Sequence, residues 1–151
     1  MRRCAASSVL ACLLLAGCAD GPPPPQALRT GEDACAACRM SVSQPRFASQ
    51  RVRRGLTAEF FDDLGCLVRS VRERPLERGA AAYVADYGTG KWIPAASASY
   101  VRAASVPTPM SSGLVAFAER AGAEKAAAEW GGRVLSWKEL SESVPAAAVG
   151  R

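Results

Sequence analysis

The spacing of apolar and polar residues changes several times along this chain, and each change predicts a different element. Apolar positions in strand-like runs, bounded by glycine or proline, predict strands over residues 46–52, 56–61, 80–87, 91–93, 98–102, 114–118 and 133–135. Apolar residues at helical spacing predict helices over residues 64–74, 120–130 and 136–142. Strands and helices that mix without regular alternation indicate an α+β domain, in which each half carries strands followed by a helix.

The N-terminal residues have the pattern of an export signal. Arg2 and Arg3 precede an apolar stretch of small residues that is too short for a permanent membrane span. Residues 15–18 (LAGC) resemble the lipobox of bacterial lipoproteins, which predicts cleavage after residue 17 and acylation of Cys18. We therefore expect a protein anchored through Cys18 on the periplasmic side of a bacterial membrane, the outer membrane being the expected one.

The composition after the signal divides the chain into three further parts. Residues 18–34 are predicted to form the lipidated N-terminus and a linker. Four consecutive prolines in this range predict that the linker is extended. Residues 35–143 are long enough for one compact domain with a single core, expected as a monomer. Residues 144–151 are predicted to form a flexible tail.

Charge and residue types exclude several functions. The chain has 19 basic and 14 acidic residues, and its arginines are spread among acids and apolar residues without interleaved aromatics, so nucleic-acid binding is not expected. It has no histidine and no phosphate-binding glycine loop. Nucleophile–histidine catalysis is therefore impossible, and we expect a binding protein rather than an enzyme.

Sulfur donors dominate the candidate chemistry. Cys35, Cys38 and Met40 lie within six residues, and Met110 lies in a proline-rich segment of the other half. Thiolates and thioethers favour Cu(I) over the ions that imidazole or carboxylate would hold. Cys38, Met40 and Met110 are the predicted ligands, with Cys35 as a fourth ligand or as a redox partner of Cys38. Arg39, between two donors, is expected to lower the pKa of Cys38.

Other interpretations of the same residues stay open. A Cys-x-x-Cys pair in an exported protein also fits a thiol-disulfide oxidoreductase that uses Cys35 and Cys38, or a disulfide that only stabilises the fold. A zinc site would need a carboxylate to complete four ligands. Cys66 follows Asp62 and Asp63, and any of the three could belong to a site. We expect instead that the acids cap a helix and that Cys66 is a small buried residue.

Several motifs, in this order, resemble the NosL family. They are the lipobox cysteine and residues 35–40 (CAACRM), 47–50 (FASQ), 61–67 (FDDLGCL), 83–87 (YVADY), 92–93 (WI), 109–110 (PM), 116–117 (AF) and 131–132 (GG).

The resemblance implies a fold, a cargo and a partner. It implies two related strand-strand-helix halves in one compact domain, as also seen in organomercurial lyases, and a periplasmic lipoprotein that carries Cu(I) to apo nitrous-oxide reductase. It assigns the functional cysteine and methionine of the family's C-x-x-C-G-M segment to Cys38 and Met40, and a later methionine to Met110. Arg39 stands where the family has glycine, which matters if that position requires a positive φ.

Overall fold

The computed structural model describes residues 21–143. The predicted signal at residues 1–17, the predicted acylation site Cys18 and the predicted tail at 144–151 lie outside these residues. Within them, no helix has the length and apolar character required to cross a membrane.

Seven strands and three α-helices form the domain. The strands are β1 (Ser49–Arg53), β2 (Glu59–Phe61), β3 (Ala80–Ala85), β4 (Trp92–Pro94), β5 (Ser99–Arg102), β6 (Leu114–Phe117) and β7 (Arg133–Leu135). The helices are α1 (Leu64–Glu73), α2 (Arg120–Trp130) and α3 (Trp137–Ser143). The predicted α+β class is therefore confirmed.

The two halves repeat one topology. In the first sheet the strand order is β2-β1-β3-β4, and in the second it is β6-β5-β7, all antiparallel. Each half thus begins with a hairpin, continues with a helix, and returns a strand to the free side of the first hairpin strand. Each unit is strand-strand-helix-strand, one strand longer than the unit expected from the sequence.

The first hairpin differs from its prediction at both strands. Pro45–Phe47 forms a turn of 3₁₀ helix, so β1 begins at Ser49 rather than at Arg46. Proline has no backbone N–H to donate to a strand partner, which favours this turn. The second strand, predicted from Leu56, begins at Glu59 because residues 54–56 form the turn of the hairpin.

The main hydrophobic core joins the two halves. Side chains of α1 pack with the second sheet and with α3 in one cluster that includes Leu67, Tyr100, Leu114 and Leu140, all 0–1% exposed. The sheets also meet directly, since the Tyr87 N–H donates to the Ala116 carbonyl at 2.8 Å. The loops before β1 and before β6 are consequently held against the same core.

The described part of the predicted linker lies on the domain. Gln26 and Gln50 exchange two hydrogen bonds of 2.8 and 3.0 Å, and the Tyr83 hydroxyl donates to the Pro23 carbonyl at 2.8 Å. Leu28 packs on the face of the first sheet that is remote from α1. Residues 21–34 therefore follow the domain surface instead of extending away from it.

Candidate metal site

The segment 35–40 is a tight loop built around Cys35. The Cys35 N–H donates to the Met40 carbonyl at 2.8 Å, and the Arg39 N–H donates back to the Cys35 carbonyl at 2.9 Å. The Ala36 N–H donates to the Phe60 carbonyl at 2.7 Å, which fixes the loop to β2. The Cys38 N–H points at the Cys35 sulfur at 3.5 Å. Backbone hydrogen bonds thus hold both thiols of the loop in place.

Arg39 has a backbone conformation that favours glycine. Its φ is +69°, in the left-handed region that L side chains seldom adopt. Among the other described non-glycine residues, only Ser111, directly after Met110, also has a positive φ, of +57°. Strained residues of this kind concentrate at functional sites. Both segments that supply predicted sulfur ligands therefore contain one.

A third thiol joins the two from the loop. Cys66 lies in the first turn of α1, and the Sγ atoms of Cys35, Cys38 and Cys66 all lie within 4.8 Å of one another. All three are free thiols; Cys35 and Cys66 are fully buried and Cys38 is partly exposed. At this upper limit an ion equidistant from all three sulfurs would be about 2.8 Å from each, so small side-chain rotations would bring them to a metal–thiolate bond of about 2.3 Å.

The sequence interpretation missed the part that Cys66 plays in this cluster. Cys66 is buried, as expected, but it packs against two other thiols and not only against apolar side chains. The available signal was the count of three thiols in one exported domain without histidine. Cys38 and Cys66 are 28 positions apart, and contact between such distant residues leaves no local pattern in the sequence. Only the packing of α1 against the loop shows it.

The three thiols differ in acidity. A hydrogen bond from the Cys66 thiol, helped by the backbone N–H groups of Cys38 and Asp62, lowers the pKa of Cys35 to about 4 although burial opposes it. The hydrogen bond to Cys35, together with burial, raises the pKa of Cys66. Burial also raises the pKa of Cys38. Cys35 is therefore the most acidic thiol of the cluster, and Cys38 and Cys66 lose their protons less readily.

This order corrects the expectation for Cys38. We expected Arg39 to lower the pKa of Cys38, but desolvation of the partly buried thiol dominates and the pKa rises. The Arg39 side chain is exposed to solvent, where water screens its charge. The more acidic thiol is instead Cys35, whose sulfur accepts hydrogen bonds from the Cys66 thiol and from backbone N–H groups.

Met40 and Met110 are placed differently from the thiols. Met40 follows Cys38 by two residues, but its side chain is 56% exposed, which is unusual for methionine. Met110 is half-buried and packs against the hydrophobic cluster that contains Cys35 and Cys66. Met110 is thus in the neighbourhood of the thiols, whereas Met40 is at the surface beside them.

Asp63 connects the Met110 segment to the helix that carries Cys66. One carboxylate oxygen accepts the Gly65 N–H at 2.6 Å and so caps α1, as the sequence predicts. The other accepts the Met110 N–H at 3.0 Å. Asp62, the other acid expected to cap the helix, instead accepts the Ser43 N–H at 3.2 Å. A Cβ at Gly65 would lie 2.8 Å from the Ser112 Cβ, so a glycine is required where the two segments cross. These contacts fix Met110 relative to Cys66.

The arrangement can bind a soft metal ion and release it. It offers three thiol sulfurs, of which Cys35 is the most acidic and Cys38 is partly open to solvent. The half-buried Met110 thioether packs on the hydrophobic cluster that contains Cys35 and Cys66. Soft donors of this kind favour soft ions, Cu(I) among them, over ions that prefer oxygen ligands. Within the described residues, no other group of three or more cysteine or acidic side chains has metal-binding geometry.

Comparisons with known proteins agree with this picture. The NosL family model matches residues 26–145, most of the chain. The structure resembles that of the copper chaperone NosL from Shewanella denitrificans, with a TM-score of 0.65 at 18% sequence identity, over 78% of this chain and 96% of that one. A comparison with curated protein sequences gave no significant match. Since the family model covers both halves and the thiol cluster, the chain belongs to the NosL family.

Proposed function

We propose that this protein is a membrane-anchored periplasmic metallochaperone that carries Cu(I) and delivers it to apo nitrous-oxide reductase during maturation of that enzyme. The observation that carries the proposal is the cluster of Cys35, Cys38 and Cys66 sulfurs within 4.8 Å in a member of the NosL family. The structurally similar Shewanella denitrificans protein is described as a copper chaperone. The protein binds and transfers its ion and catalyses no reaction.

The ligand set follows from burial and charge. Cys35 supplies the first thiolate, and Cys38 and Cys66 bind with loss of their protons. Cu(I) has one positive charge, which offsets part of the negative charge of the thiolates. The N–H groups directed at the Cys35 sulfur stabilise the remaining negative charge. Met110 completes the site from the second half as a neutral thioether.

Exposure divides the ligands into holding and transferring groups. On the 35–40 loop, Cys38 and Met40 are the donors that solvent reaches, and Met40 is mostly exposed. A partner protein can contact these two sulfurs first and take the ion by ligand exchange, while Cys35 and Cys66 remain covered. Such a site suits a carrier that must give up its ion.

The location belongs to the same proposal. Acylation of Cys18 would place the protein on the periplasmic face of a bacterial membrane, the outer membrane being the expected one, and we propose that it works there as a monomer. Detection of an acylated Cys18 by mass spectrometry of the purified protein would support this; an unmodified Cys18 would contradict it.

Competition with a Cu(I) chelator tests the site. We expect Cys35→Ser, Cys38→Ser and Cys66→Ser each to weaken Cu(I) binding by more than the about 10–100-fold typical of losing an outer-shell partner. Met110→Leu should weaken it less, because one thioether is lost and three thiols remain. Ser41→Ala, one residue beyond the loop, is the matched control and should bind like the wild type. Wild-type affinity in Cys38→Ser and Cys66→Ser would exclude the proposed site.

The raised pKa values predict a pH dependence. Since Cys38 and Cys66 are protonated at neutral pH, binding of Cu(I) through them must release protons, and the affinity should rise as pH increases. Isothermal titration calorimetry in buffers of different ionisation enthalpy measures this release. In Cys66→Ser the number of released protons should fall. Binding without proton release would mean that these thiols are not ligands.

A thiol-disulfide oxidoreductase is the second candidate, because the pKa of Cys35 is lowered to about 4. However, Cys35 is fully buried, and an attacking thiolate must reach a disulfide in another molecule. This function predicts that Cys35→Ser abolishes disulfide exchange and that Met40→Leu has no effect. Catalysed reduction of a model disulfide at a rate that depends on Cys35 would favour it over the copper carrier.

A further inference from the structure

Three segments meet at the end of the first sheet that is opposite the thiol cluster. They are the turn between β1 and β2, the loop before β3, and the chain where it enters the described structure. Arg54 donates from its guanidinium to the Gly21 carbonyl at 2.7 Å. Arg53, at the end of β1, pairs in register with Ala80, the first residue of β3. We call Gly21, Arg53, Arg54, Leu56 and Arg78 the anchor face.

The anchor face is basic and has an apolar side chain at its surface. Arg53, Arg54 and Arg78 surround a shallow cavity of about 390 Å³, together with Leu56 and one acid, Glu77. Arg53 lies 3.9 Å from Glu59, which also pairs with Arg74 at 3.3 Å. Leu56 is 50% exposed. Basic side chains around an exposed leucine match the boundary between lipid headgroups and acyl chains.

Chain length limits how far this face can be from an acylated residue. Only two residues lie between Cys18 and Gly21, so their Cα atoms, three steps apart along the chain, are at most about 11 Å apart even in a fully extended chain. The Arg54–Gly21 hydrogen bond attaches the end of that short segment to the anchor face itself. A lipid on Cys18 therefore brings this end of the domain, and no other, to the bilayer.

We propose that the anchor face rests on the membrane, where Arg54 and Arg78 bind the phosphate groups of anionic phospholipids and Leu56 enters the interface. The inference rests on the proposed acylation of Cys18. It adds a second attachment to the lipid anchor and gives the domain a defined orientation.

This orientation has a consequence for the thiol cluster. Strand β1 runs from Ser49, which pairs with Phe61 beside the 35–40 loop, to Arg53 at the anchor face. Four residues of strand span about 13 Å. The sheet therefore holds Cys38 and Met40 away from the lipid surface, where a partner protein can approach them.

Hydrogen exchange of the acylated full chain in vesicles tests the proposal. The protein is reconstituted in phosphatidylcholine vesicles, with or without phosphatidylglycerol, and exchange is followed in peptides that cover residues 52–57 and 76–80. Phosphatidylglycerol should slow exchange there about fivefold for each arginine that binds a headgroup. High salt should reverse the effect, because it screens the charges.

Variants that remove the same charge from different surfaces show which residues cause the slower exchange. Arg54→Gln/Arg78→Gln should lose the response to phosphatidylglycerol, and Leu56→Ser should weaken protection in both vesicle types. Arg120→Gln/Lys125→Gln removes the same charge from the exposed surface of α2 and should respond like the wild type.

Two results would overturn the inference. One is equal exchange of residues 52–57 with and without phosphatidylglycerol, and the other is lipid-dependent protection in α2 in place of the anchor face. Mass spectrometry of the N-terminal peptide and Cu(I) titration of the same sample report separately on acylation and copper binding. The proposal that the anchor face contacts the membrane can thus be rejected while acylation and copper binding are both retained.

Discussion

At the scale of single residues, identity and surroundings have separate effects. Cys35, Cys38 and Cys66 have the same side chain, but hydrogen bonds and burial lower the pKa of the first and raise those of the other two. The sequence shows that thiols are present in a domain without histidine. It does not show their order of acidity, because that order depends on which atoms surround each sulfur.

Replacement of Arg39 tests the backbone strain in the 35–40 loop. A left-handed conformation costs a non-glycine residue about 1–2 kcal/mol. Glycine avoids this cost, but its unfolded chain is more flexible, and the entropy that it loses on folding costs about 0.5–1 kcal/mol. Arg39→Gly should therefore stabilise the protein by about 0.5–1 kcal/mol, measured by urea denaturation.

Ser41→Gly is the control for this change, because Ser41 is exposed, close in sequence and not at a positive φ. It should destabilise by about 0.5–1 kcal/mol. Equal effects of the two glycines would show that the conformation of Arg39 carries no strain.

At the scale of elements, apolar spacing and end signals predict most of the helices. Helix α2 covers Arg120–Trp130 as predicted, and Gly131 ends it with a left-handed φ of +65°. Helix α1 ends one residue before its predicted end, and Asp63 caps it. The strands were predicted less well at β1 and β2, where a 3₁₀ turn and a hairpin turn replace residues whose apolar pattern favours a strand.

Two helical glycines should respond to alanine in opposite directions. At Gly65 in α1 a new Cβ would lie 2.8 Å from the Ser112 Cβ, so Gly65→Ala must displace the segment that carries Met110. Such overpacking costs about 1–3 kcal/mol. At Gly122 in α2 the nearest atom, on Phe117, is 3.5 Å away, an ordinary contact, so Gly122→Ala should stabilise by about 0.5–1 kcal/mol.

Thermal unfolding measures the change in stability of both variants. Competition with a Cu(I) chelator then shows whether Met110 has also been displaced. Since Met110 is a proposed ligand, Gly65→Ala should also weaken copper binding, whereas Gly122→Ala should not. An unchanged affinity in a folded Gly65→Ala variant would argue against Met110 as a ligand.

At the scale of the whole molecule, the two halves are joined by few polar contacts and one shared core. Asp86, at the end of the first sheet, accepts the Ala118 N–H at 2.8 Å and the Thr89 hydroxyl at 2.7 Å. Although burial opposes ionisation, these hydrogen bonds hold the pKa of Asp86 below its usual value. The carboxylate thus stabilises the junction between the sheets only while it is charged.

Asp86→Asn should destabilise the protein by about 1–3 kcal/mol at neutral pH, because a charged hydrogen-bond acceptor is lost. A lowered pKa in the folded state means that this stability is fully present above the ordinary aspartate pKa and is lost as pH falls through the folded pKa. The difference between wild type and Asp86→Asn should therefore shrink in acid.

Chemical denaturation at a series of pH values measures this difference. Glu124→Gln, which removes the exposed ion pair with Arg120, is the control and should cost less than about 0.5 kcal/mol. A difference for Asp86→Asn that does not change with pH would contradict the charged role of Asp86.

The sequence alone determined the residue inventory and the local structure of this protein. It predicted the α+β class, both longer helices and a cap at Asp62 or Asp63, because apolar spacing and capping depend on near neighbours. Its motif order also identified the NosL family. Copper ligands were predicted from chemical softness, and Cys38, Met40, Met110 and Cys35 stay predictions at the level of individual residues.

Only the tertiary structure decided which distant atoms meet. It brought Cys66 to Cys35 and Cys38, made Cys35 the most acidic of the three thiols, and laid residues 21–34 along the domain so that Gly21 reaches Arg54. The physical reason is the same in each case. Contact between remote segments, and the desolvation that it causes, depends on how helices and sheets pack, and no local pattern of residues records it.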